Sequence, residues 1–132
     1  MVGLIWMVQI VHYPLFNRVG AAEFQHYAID HSRIITPIVM FPMLIELVTA
    51  ASLLAVAPAG IWRGWWAIAF GLVLISWVST ALLQIPCHAR LAEGFEQQVY
   101  LRLVSSNWIR TIAWTARGVL MAFLLWRMLG DR

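Results

Sequence analysis

Residues 34–57 read IITPIVMFPMLIELVTAASLLAVA, 24 residues that are nearly all apolar, with one carboxylate, Glu46, close to the middle. An α-helix rises 1.5 Å per residue, so about 20 apolar residues cross the hydrocarbon core of a bilayer, and this run is long enough to do so. A carboxylate at that depth is costly, and an ionisable group there is expected to have both a partner and a task. The cation available inside another apolar run is Arg117.

Three further apolar runs flank this one. Residues 1–16, MVGLIWMVQIVHYPLF, form the first. At about 24 Å it is short for a span and begins without flanking residues, which leaves room for the real helix to start further upstream. Residues 65–87 and 111–129 form the third and fourth, and PAGIWRG at 58–64 is a tight turn that makes the second and third antiparallel neighbours. The two polar connectors have helical periodicity. In 17–33, Phe24, Tyr27, Ala28, His31 and Ile35 share one face, while Glu23, His26, Asp30 and Arg33 share another. In 88–110, Leu91, Phe95, Val99 and Leu103 form an apolar ladder. Each connector reads as a short amphipathic helix lying in the interface. The expected fold is all-α: an integral membrane, antiparallel four-helix bundle with two interfacial connector helices on one side.

Composition supports that class. Of 132 residues, 62% are hydrophobic and 11% charged, against about 25% charged in a soluble domain. So few charges cannot cover a surface in water, and the bilayer is the expected partner. The basic residues are all Arg and are scattered, without the block that would point to nucleic acid. One cysteine, Cys87, excludes an internal disulfide. Trp62, Trp65, Trp66 and Trp126 mark one interface, and Tyr13, Tyr27, Tyr100 and Trp108 the other. Small residues, among them Gly71, Ser79, Ala113 and Gly118, are placed to let helices approach closely. The halves 1–57 and 65–129 resemble each other, with Pro14-x3-Arg18 and Pro86-x3-Arg90 at an offset of 72, as in parallel repeats. Five Arg in the connectors against Arg63, Arg127 and Arg132 beside the termini place the connectors in the cytoplasm when Arg alone is counted. Acidic residues nearly cancel that excess, and our reading is cytoplasmic termini in a bacterial-type inner or plasma membrane.

Two groups of residues carry candidate chemistry. Glu46 and Arg117 read either as a structural ion pair or as a proton-handling catalytic pair. His12, His31 and His88 fall at one level, at the connector end, and neutral imidazole is a common ligand for metals and haem. They match no known ligand spacing, so a His-bound metal or haem stands beside a reading as ordinary interfacial histidines. Asn107 and Arg110 would bind substrate, with Arg110 anchoring an anion or carbonyl.

QIPCHARL at 84–91 and SNWIRT at 106–111 resemble the anthrone-oxygenase-like family of small four-span membrane proteins. In that family a proline near the end of span three is followed by Arg-Leu, and Asn-x-x-Arg-Thr opens span four. The matching positions are Pro86, Arg90, Leu91, Asn107, Arg110 and Thr111. Cys87-His88-Ala89 stands where the family tends to carry an Asn-bearing segment. The resemblance implies a four-helix membrane bundle that oxygenates a hydrophobic aromatic molecule without an obvious cofactor. From the residues themselves two functions are expected. One is a membrane oxidoreductase or hydrophobic-ligand-binding protein with its pocket at the connector end. The other is an accessory subunit of a larger membrane complex, or a homo-oligomer, packing through its Trp-rich faces.

Overall fold

The computed structural model describes residues 1–20 and 22–130; Arg132, counted above beside the termini, lies outside them. Four helices account for nearly all of the chain: α1 (Val2–Phe16), α2 (Phe24–Val56), α3 (Arg63–Leu91) and α4 (Gln97–Gly130). No strand is present among the described residues. Three of these helices, α2, α3 and α4, are long and apolar enough to cross a membrane, while α1 is apolar but shorter.

The expected interfacial connector helices are not separate elements. Residues 24–33 are the first turns of α2, and residues 97–110 the first turns of α4. The change from polar to apolar composition suggested a break at residue 34, but polarity does not interrupt a helix, and α2 runs on through that point and through Pro37 and Pro42 as well. The real breaks lie after Phe16, at 57–62, where Ala57 takes a left-handed φ of 43° and Gly60 a φ of 83°, and at 92–96, where Gly94 has a φ of 152°. Leu91 therefore closes α3, Phe95 sits in the turn, and Val99 and Leu103 belong to α4, yet all four pack into or against one core.

Prolines shape α1 and α3 in the same way. Each contains a π-helical turn, Val8–His12 in α1 and Thr80–Gln84 in α3. In the first the Tyr13 N–H bonds back to the Val8 carbonyl, and in the second the Ile85 N–H bonds back to the Thr80 carbonyl. Pro14 and Pro86 follow directly. A proline offers no N–H and crowds the carbonyl four residues back, and widening the preceding turn relieves both problems. The two π-turns are 72 residues apart, the offset separating Pro14 from Pro86.

The helices are tied by polar contacts as well as packing. Trp6 Nε1 donates to Thr115 Oγ1 at 3.0 Å and Gln9 Nε2 to the Val104 carbonyl at 3.2 Å, joining α1 to α4. At Gly118 the approach is so close that an added Cβ would lie 2.8 Å from Val2 Cγ2, whereas at Gly71 it would meet nothing; of these two glycines, only Gly118 serves helix contact. The core is concentrated at the connector end, where Phe16 and Phe24 are fully buried and the Phe24 and Phe95 ring centroids lie 4.8 Å apart. Tyr13 and Tyr100 are buried there, not displayed as belt residues, and Trp66 is buried at the other end. Outward, α2 presents Ile34, Ile38, Phe41, Ile45 and Val48, all exposed and spaced along one face. Large side chains of this kind are stable outside a protein when lipid covers them.

Candidate functional site

The π-turn of α1 brings His12 and Tyr13 round to the interior, and the last turns of α3 bring His88 opposite them. His31 arrives from the second turn of α2 and Arg110 from α4. Between these side chains lies a cavity of about 120 Å³. Its polar lining is His12, Tyr13, His31, Thr36, Thr80, Gln84, His88 and Arg110, and its apolar lining Val8, Ile35, Val39, Met40, Met43 and Ile85. At roughly 10–15 Å³ for each water-sized group, it holds a small molecule of about 8 to 12 such groups.

The three histidines foreseen at one level are indeed neighbours. His12 Nε2 and His31 Nδ1 are 3.0 Å apart, and their ring centroids 4.6 Å. A hydrogen bond between two imidazole nitrogens needs one bearing hydrogen and one bare, so this contact holds a single proton between the rings. The His31 and His88 centroids are 5.5 Å apart, and the Tyr13 hydroxyl lies 3.1 Å from His88 Nε2. His31 also stacks on Tyr27 and takes the Phe16 edge at 4.9 Å. His26, assigned to solvent by the helical pattern, is exposed.

The facing nitrogens of His12 and His31 are paired with each other, and His88 Nε2 is paired with Tyr13. Among the described residues no group of three or more His, Cys, Asp or Glu side chains is arranged to hold a metal ion. A porphyrin has far more atoms than the cavity can take. The cluster holds two hydrogen-bonded pairs, His12 with His31 and Tyr13 with His88, set side by side.

Behind the cavity runs a buried amide network. Asn107, wholly buried, donates through Nδ2 to Gln9 Oε1 at 2.9 Å, which leaves its Oδ1 to accept from Arg110 Nη1 at 3.2 Å. Thr111 Oγ1 donates to the same Gln9 oxygen at 3.3 Å. Gln84 Oε1 accepts from Ser79 Oγ at 3.1 Å, and its Nε2 donates to Ser106 Oγ at 3.1 Å. Arg110 lines the cavity with its guanidinium carbon 5.0 Å from the centre of the Trp114 ring. Asn107 does not line it and acts by holding Arg110. Gln9, Tyr13 and Gln84 belong to this site as much as the histidines do. The available signal was that two amides interrupt apolar runs and must find partners there.

Glu46 and Arg117 also meet, with Arg117 Nη1 donating to Glu46 Oε1 at 3.3 Å. The N-terminal amino group lies 3.7 Å from the same oxygen. Neither side chain lines the cavity, so the pair ties α2 to α4 apart from the histidine site. Comparison with protein-family models, with curated proteins and with solved structures finds no match to this chain.

Proposed function

We propose that this chain is an integral membrane protein, an antiparallel four-helix bundle, whose cavity at the connector end binds a small hydrophobic molecule by one polar end. The observation carrying this reading is the cavity's mixed lining: six apolar side chains stand beside three histidines, Tyr13, Gln84, Arg110 and two threonines. Binding sites for small molecules combine such an apolar wall with a few placed polar groups. Ionisable side chains within apolar helices are rare without a task. The imidazole and phenol groups can donate to or accept from a hydroxyl or carbonyl at the molecule's polar end. The resemblance at Pro86, Arg90, Leu91, Asn107, Arg110 and Thr111 favours an aromatic occupant and oxygenation as the reaction; the geometry itself speaks for binding.

The test is equilibrium binding of 1-naphthol, an aromatic alcohol of about the cavity's size, to the protein in phosphatidylcholine nanodiscs. Saturable uptake of one molecule per chain is expected, with loss of at least tenfold in affinity in Met40→Trp, which fills the apolar wall. Uptake no greater than in empty discs, or equal in Met40→Trp, would overturn the reading.

A further inference from the structure

Arg110 is the group in the cavity whose charge the chain leaves unbalanced. It is 5% exposed, and its guanidinium cannot be neutralised by losing a proton under ordinary conditions. A buried charge is costly unless it is paired. Among the described residues the ion pairs are those of Glu46 with Arg117 and with the first amino group, so no carboxylate lies within 4.0 Å of Arg110. The chain gives it a neutral acceptor, Asn107 Oδ1, and an aromatic face, Trp114. Its Nε is buried without a hydrogen-bond partner. Arg117, whose Nε is likewise without a partner, differs in that the chain supplies it with a carboxylate, Glu46.

The surroundings favour negative charge at the same place. Tyr13 and His88 lie within electrostatic reach of Arg110, and because they share one hydrogen bond, one of the two keeps a hydrogen for an acceptor in the cavity. The amide of Asn107 is fixed by Gln9, so Arg110 is held in one position. We infer that the occupant is an anion, a single carboxylate-class negative group on an apolar body, and that Arg110 is its counter-ion. This rests on the reading of the cavity as a binding site and names the class of molecule it takes. A fatty or aromatic carboxylate and an anionic lipid headgroup share this chemistry.

The experiment compares 1-naphthoate with 1-naphthol on the wild-type protein in phosphatidylcholine nanodiscs. A charge-assisted hydrogen bond to a desolvated guanidinium predicts roughly tenfold or more tighter binding of the carboxylate. The advantage should vanish in Arg110→Gln and persist in Arg110→Lys. Saturable 1-naphthol with no advantage for 1-naphthoate, or an advantage that survives in Arg110→Gln, would overturn the inference and leave the binding site standing. Failure of both probes to saturate removes the binding site and the inference together. The wild-type comparison decides even where Arg110→Gln does not fold. Discs containing phosphatidylglycerol separate the sources: displacement of 1-naphthoate assigns the site to a lipid headgroup, and undiminished binding to a free carboxylate.

Discussion

Glu46 and Arg117 show what single residues can and cannot reveal. A carboxylate and a guanidinium inside two apolar runs must meet or be compensated, so their contact at 3.3 Å was legible from the sequence. Its distance from the cavity was not, because that depends on how the helices rotate about their axes. The same limit hid Tyr13, which read as an interfacial aromatic until the π-turn of α1 carried it inward against His88. The three histidines were easier, since counting along each helix placed them at one level. What counting could not supply was the direction of each ring, which turns His12 Nε2 and His31 Nδ1 onto each other. At this scale we expect Glu46→Gln to destabilise the protein by about 3 kcal/mol, the cost of stranding one partner of a largely buried pair. The double variant Glu46→Gln/Arg117→Gln should recover part of that loss. Unfolding by sodium dodecyl sulfate in mixed micelles measures both, and a single variant as stable as the wild type would show that the pair does not hold α2 to α4.

Helix identity was readable from apolar runs and their spacing, whereas helix ends were not. The sequence suggested six helical pieces where the described residues form four, because it changes polarity at positions where the backbone has no reason to stop. Ala57 is where α2 does stop, in a left-handed conformation that a Cβ disfavours. Ala57→Gly removes that penalty and is expected to stabilise the fold by about 1 kcal/mol, seen as a higher midpoint of thermal unfolding in detergent. An unchanged or lower midpoint would mean that flexibility gained by the unfolded chain outweighs the relief. The π-turns make a second prediction. Pro14 denies α1 a backbone donor, and the widened turn before it sets the direction of His12 and Tyr13. With alanine at that position an ordinary α-turn can close, rotating the residues on either side of the extra one by about 100° relative to each other. Pro14→Ala should therefore keep its helix content by far-ultraviolet circular dichroism yet lose 1-naphthol binding. Retained binding would show that packing around Phe16, not the proline, fixes the turn.

Across the whole molecule the exposed surface is the decisive feature. Ile34, Ile38, Phe41, Ile45 and Val48 line the outside of α2, and α3 and α4 carry comparable residues, so the three long helices need an apolar surrounding along most of their length. The hydrophobic effect that assembles a soluble core would here drive aggregation in water, and a bilayer removes that penalty without burying these faces against protein. If α3 crosses the bilayer, the turn at 57–62 and the turn at 92–96 lie on opposite sides. Burial alters the charge argument for which side is which: Arg110 is inside the protein and drops out of the connector count, leaving Arg18, Arg33, Arg90 and Arg102 exposed there against Arg63 and Arg127 at the other end. Single cysteines introduced as Ala59→Cys and Glu93→Cys, in a Cys87→Ala background, separate these possibilities by labelling with a membrane-impermeant maleimide in right-side-out and inverted vesicles. The two positions should label from opposite faces, and on our reading of cytoplasmic termini Ala59→Cys labels in inverted vesicles. Labelling of both from one face would show that α3 does not span. Opposite faces with Ala59→Cys outside would show that the arginine excess of the connectors governs insertion and that the histidine cavity lies near the cytoplasmic surface, where a charged hydrophobic carboxylate made in the cell would reach it directly.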